Sequence, residues 1–123
     1  MSRWHSLIAF LIVLLMVPIA LGANQFGVAD KRVVQFDKPF WIAGILAPAG
    51  TYEVRHMMEG ADHVMLFSLA NVKHAPAPVQ ARCTLVPQQK PVQQTETAFR
   101  PNEKGELVLV RMQFKGDHAV HMF

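Results

Sequence analysis

Beyond an apolar leader, the hydrophobic positions of this chain recur with a period of two, and no stretch of useful length has the 3.6-residue period of a helix. Val79, Ala81, Cys83 and Leu85 alternate with Gln80, Arg82 and Thr84, the pattern of a half-buried strand with Cys83 facing inward. Tyr52, Val54 and His56 alternate with Glu53, Arg55 and Met57, so the first set faces the core. HVMLFSL, at 63–69, is apolar on both faces, as a central strand requires. The pattern predicts strands over 32–36, 40–45, 51–58, 63–69, 79–86, 95–99, 107–114 and 118–123. Each hairpin needs a second layer to bury its apolar face. The expected fold is therefore all-β: a single antiparallel β-sandwich or partly closed barrel of seven or eight strands, following a helical signal peptide.

Turn chemistry separates these segments. In LAPAGTYEVR, at 46–55, Ala47-Pro48-Ala49-Gly50 predicts a type I turn closing a hairpin: proline presets φ and glycine accepts a left-handed conformation. Glu59-Gly60-Ala61-Asp62 and Lys115-Gly116-Asp117 read as further hairpin turns, and RPNEKG at 100–105 as a polar turn. The proline-rich stretches 71–78 and 87–94 read as extended surface connections, because proline fixes φ and removes a ladder donor.

The leader sets the compartment. Residues 7–20, LIAFLIVLLMVPIA, are fourteen apolar residues, followed by Ala20-Leu21-Gly22 with small residues where a signal peptidase cuts. A spanning helix needs roughly 20 such residues. The reading is a signal peptide at 1–22, a single secreted β-domain at 23–123, and an exported product, periplasmic or extracellular, that meets the membrane only through an uncleaved leader.

Charge and cysteine content narrow the class. The 123-residue chain carries a formal net charge of +3, spread along the sequence rather than gathered in a patch, so nucleic acid is not implied. Cys83 is the only cysteine, which excludes an internal disulfide and leaves stability to the apolar core.

VVQFDKPFWIAGILAPAGTYEVR and HVMLFSLANVK together resemble a group of uncharacterised small exported bacterial proteins, frequent in acidobacteria. In those proteins a PxxIxG strand leads through LPAGTY to the next strand. Phe36, Pro39, Gly44, Pro48, Ala49, Gly50, Thr51, Tyr52, His63, Val64, Phe67 and Asn71 match the pattern. The matching positions are turn formers and core residues. The resemblance implies a compact secreted β-domain and supplies no catalytic residue; the insert KHAPAPVQ departs from the pattern.

Enzymatic chemistry is poorly provided for. Ser68 is the only serine after the leader and lies, like Cys83, within a predicted strand, whereas an activated nucleophile sits at a strained turn beside a base. The acidic residues fall mostly at turns, with no carboxylate pair implied by spacing. No catalytic residue and no cofactor are expected. Soft-donor chemistry in an oxidising compartment would be copper chemistry, for which the candidates are His56, Met58, His118, His121 and Met122. Their spacing defines no metal site. His118 and His121 project to opposite faces of a strand, and Cys83 is followed by TLVPQQKPVQQ, without the nearby His and Met of a blue-copper loop. Trp41 and Tyr52 are the candidates for a sugar or peptide groove. The leading expectation is a monomeric, non-enzymatic exported accessory or binding domain with a protein or glycan partner. A periplasmic copper-handling protein using His and Met ligands is the alternative, and a carbohydrate-binding module a weaker one.

Mass spectrometry of the exported protein should find its first residue at Ala23 or Asn24. A membrane-fractionating product that retains residues 7–20 would contradict the signal-peptide reading.

Overall fold

A computed structural model describes residues 30–123; the expected leader lies outside the described residues. Nine strands follow in order: β1 (Lys31–Phe36), β2 (Phe40–Ile42), β3 (Ile45–Ala47), β4 (Gly50–Glu59), β5 (Asp62–Leu69), β6 (Val79–Pro87), β7 (Glu96–Pro101), β8 (Leu107–Gln113) and β9 (Ala119–Met122). Among the described residues there is no helix, and so none long and apolar enough to cross a membrane. The all-β class read from the alternation is the class observed.

The strands join into one mixed sheet, in the order β1-β4-β5-β6-β9-β8-β2-β3 with β7 also on β8, that is not closed into a barrel. β6 carries the sheet round its bend. Its first part, Val79 to Cys83, pairs with β5, and its last part, Thr84 to Pro87, pairs with β9. The two ends of the sheet thereby share one core. Phe40 of β2 stacks on Phe36 of β1 at 4.1 Å between ring centroids and meets Tyr52 of β4 edge-on at 5.6 Å. Phe67 of β5 and Phe99 of β7 close round the same ring at 6.3 and 6.4 Å. Phe40 is fully buried. An aromatic cluster of this kind adds roughly 0.5–1.5 kcal/mol per pair beyond the area it buries.

Three local features differ from the sequence reading. The predicted strand over 40–45 breaks into a two-residue hairpin: Phe40 pairs with Ala47 and Ile42 with Ile45, and Ala43 and Gly44 turn the chain at φ of 50° and 74°. Positive φ at both central positions is the type I′ requirement. An alanine at the first of them carries no turn signal, which is why nine strands stand where seven or eight were expected. The Ala47-Pro48-Ala49-Gly50 turn, read as a hairpin hinge, joins strands that do not pair. β3 pairs with β2, whereas β4 pairs with β1 and β5, so the turn is a corner leading from one end of the sheet towards the other. Gly50 has φ of 152° there, positive but more extended than the expected left-handed value. Finally, β2 runs parallel to β8 through Trp41 and Val108, in a sheet expected to be wholly antiparallel.

A bulge repairs the alternation on β8. Opposite β7 the register passes from Ala98 with Arg111 to Phe99 with Leu109, leaving Val110 as the extra residue. The bulge lets Leu109 and Met112 both point into the core despite their odd separation. Across the bend, Arg32 of β1 donates to Asp117 Oδ1, in the β8–β9 connection, at 2.9 Å and lies over the Phe114 ring at 5.9 Å.

A Cβ added at Gly50 would meet Leu69 Cδ1 at 2.8 Å, on a backbone that L side chains rarely adopt. Gly50→Val should therefore lower stability by about 1 kcal/mol or more, and Ala49→Ser by much less. Denaturant curves check this. Equal, small losses would show that the corner does not need glycine.

Candidate metal centre

Where the sheet bends, four adjacent strands each bring one chemistry-bearing side chain to the inner face: His56 from β4, His63 from β5, Cys83 from β6 and His121 from β9. Alternation puts each of them inward, and register brings them level. His63 stands directly opposite Cys83, while Met58, two residues beyond His56, stands opposite His63. Leu85, two residues beyond Cys83, stands opposite His121. Such diagonal neighbours lie within reach of long side chains.

The ligand atoms of His56, Cys83 and His121 all lie within 4.8 Å of one another. Cys83 Sγ is 3.6 Å from His121 Nδ1. The His56 and His121 rings meet edge-on at 4.8 Å, and His121 packs against Phe114 at 5.5 Å. His63 stands at the outer side, its Nδ1 2.8 Å from His56 Nε2. His56 and His121 are 3% and 1% exposed, and Cys83 and His63 are half-buried. Two buried methionines flank the group on the same face, Met65 directly opposite His56 and Met112 directly opposite His121.

Burial favours the neutral forms of His121 and Cys83. Loss of solvation, reinforced by the neighbouring His56 and His63, lowers the pKa of His121 to about 4. Burial pushes the Cys83 thiol up to about 11. A neutral imidazole offers a nitrogen lone pair, and a thiol that binds a metal loses its proton to solvent and ligates as the thiolate. The Cys83–His121 pair has the spacing of two donors on one ion. Bonds of about 2.3 Å to sulfur and about 2.0 Å to nitrogen, opened at a tetrahedral or trigonal angle, separate the two donors by about 3.5–3.7 Å. The observed gap of 3.6 Å falls in that interval.

The sequence candidates divide. His56 and His121 enter the cluster together. Met58 and Met122 are exposed, at 42% and 38%, and His118 is exposed in the turn before β9; none of the three belongs to the cluster. Met122 faces away because it follows His121 by one residue in the same strand. Cys83 and His63 are the members that sequence spacing did not select. The available signal was parity, since an imidazole and a thiol occupied inward positions of strands otherwise apolar on that face. The two proposed groove residues do not line one groove together: Tyr52 borders a pocket with Leu46, Pro48, Leu69 and Pro76 from which Trp41 is absent. The Tyr52 ring is 2% exposed, in the aromatic core, and its hydroxyl donates to the Pro48 carbonyl at 2.6 Å. Trp41 is half-buried on β2. Comparison with protein-family models, with curated proteins and with solved structures gives no match to this chain.

The lowered pKa of His121 has a measurable consequence in chelator-treated protein. The unfolded imidazole binds its proton near its ordinary pKa of 6.5 and the folded one only near 4. Between those values the unfolded state holds more protons, so stability is complete above pH 6.5 and falls as the pH drops towards 4. This group's share of the loss is on the order of 3 kcal/mol. Urea titrations at stepped pH should show a shallower acid loss in His121→Leu than in the wild type. Identical slopes would mean that His121 is not held neutral.

Proposed function

We propose that this chain is an exported, non-enzymatic domain that binds one soft transition-metal ion through His56, Cys83 and His121. The observation that carries the reading is the convergence of two imidazoles and the single thiol, from three different strands, to within 4.8 Å on a buried face. Apolar residues at these positions would fill a core without leaving polar atoms to satisfy. Imidazole and thiolate are the ligands that suit copper and zinc, and the group holds no carboxylate of the kind that favours magnesium or calcium. Strand scaffolding also favours binding, since donors held in register need little ordering when the ion arrives.

The support for export is the apolar leader and the small residues at 20–22. A carbohydrate groove is less well supported, because Tyr52 is committed to the core.

Calorimetric titration of the reduced protein with Zn(II) and with Cu(I) should give one ion per chain. Cys83→Ser and His121→Ala should each weaken binding by about 100-fold or more, beyond the 10–100-fold typical of losing an outer-shell partner, and His118→Ala should leave it unchanged. Absence of stoichiometric uptake by the wild type, or wild-type affinity in Cys83→Ser and His121→Ala, would overturn the reading.

A further inference from the structure

Resting on the metal-binding reading, the geometry points to a more specific occupant: we infer that the cluster is a three-coordinate copper(I) site, with His63 as a positioning residue outside the ligand set. Three observations converge on it.

The first is charge. The three donors comprise one thiol and two imidazoles, with no carboxylate among them. Asp117, the acid nearest in the chain to His121, is already paired with Arg32 at 2.9 Å. When the ion binds, Cys83 gives its proton to solvent and the S–H bond is replaced by a metal–sulfur bond. A monovalent ion with one thiolate and two neutral imidazoles then has no net charge. A divalent ion on the same ligands leaves one positive charge uncompensated beside Phe114, Met65 and Met112, and an unpaired buried charge is costly.

The second is donor number. Zinc in structural sites takes four ligands, and in catalytic sites three plus a water. The group here has three members, and His63 is not one of them. Its Nδ1 is engaged with His56 Nε2 at 2.8 Å. A partner on a ligating histidine's ring is the usual outer-shell device for fixing that ring.

The third is the lining. Met65 and Met112, both 0% exposed, stand directly across from His56 and His121. Thioethers are soft and polarisable and favour copper(I), whereas they offer nothing to hold the water of an open zinc site.

The test is X-ray absorption on the reduced, exported chain loaded with Cu(I) in the presence of excess Zn(II), repeated for His63→Gln and His63→Ala. The expected result is one copper per chain, bound by one sulfur and two nitrogens. His63→Ala should weaken affinity by about 10–100-fold, the range for an outer-shell partner. It should leave the coordination number at three, and His63→Gln, which can still hydrogen-bond to His56, should recover part of the affinity. Zinc displacing copper, or a fourth ligand lost in both His63 variants, would overturn the copper assignment and leave the metal-binding reading intact. No stoichiometric uptake of either ion would overturn both.

Discussion

The apolar face shared by the two ends of the sheet, centred on the fully buried Phe40 ring, is the constraint on which the remaining structure depends. Phe36, Tyr52, Phe67 and Phe99 reach that ring from four other strands, and they can do so only if the sheet bends. β6 makes the bend by changing partners between Cys83 and Thr84. A chain with one cysteine has no internal disulfide to hold this shape, so burial of the aromatic and aliphatic face must do it. The bend is also where the inner face turns from apolar to polar. His56, His63, Cys83 and His121 lie there because they are the next inward positions along β4, β5, β6 and β9.

Much of the fold is legible in the sequence, because it depends on alternation. Each predicted strand coincides with an observed one, apart from the segment over 40–45, and Val79, Ala81 and Cys83 face inward as their spacing requires. What is not legible depends on partners. The Ala43-Gly44 turn splits a strand because Ile42 can pair with Ile45 only when alanine accepts positive φ. The corner at Ala47 to Gly50 has the chemistry of a turn, but turn chemistry does not say whether the flanking strands pair. The bulge at Val110 is visible only once Phe99 is set opposite Leu109.

The cluster is illegible from spacing for the same reason. Intervals of 27 residues between His56 and Cys83 and 38 between Cys83 and His121 match no local ligand motif. They meet because β6 lies between β5 and β9 in the sheet. Strand parity selects His56 and Cys83 as inward, and the paired register adds His63 and His121. The methionines differ in burial: Met122, next to His121 in the chain, faces away from the cluster, and Met58, opposite His63, is exposed at the strand end, while Met65 and Met112 are buried opposite His56 and His121. Chain proximity was a poor guide to donors, and inward register combined with burial is a better one.

A metal reading gives these four side chains a common purpose that a packing reading does not. In the core proper the inward positions are aliphatic or aromatic, whereas here polar nitrogen and sulfur atoms are taken out of water, a desolvation cost that packing alone does not call for. The most direct measurement is an anomalous difference map from a crystal of the reduced chain loaded with copper. One peak is expected inside the bend, about 2.0 Å from imidazole nitrogens of His56 and His121 and about 2.3 Å from Cys83 Sγ. A peak only at exposed His118 or Met122, with the cluster side chains packed as before and no ion between them, would contradict the metal reading.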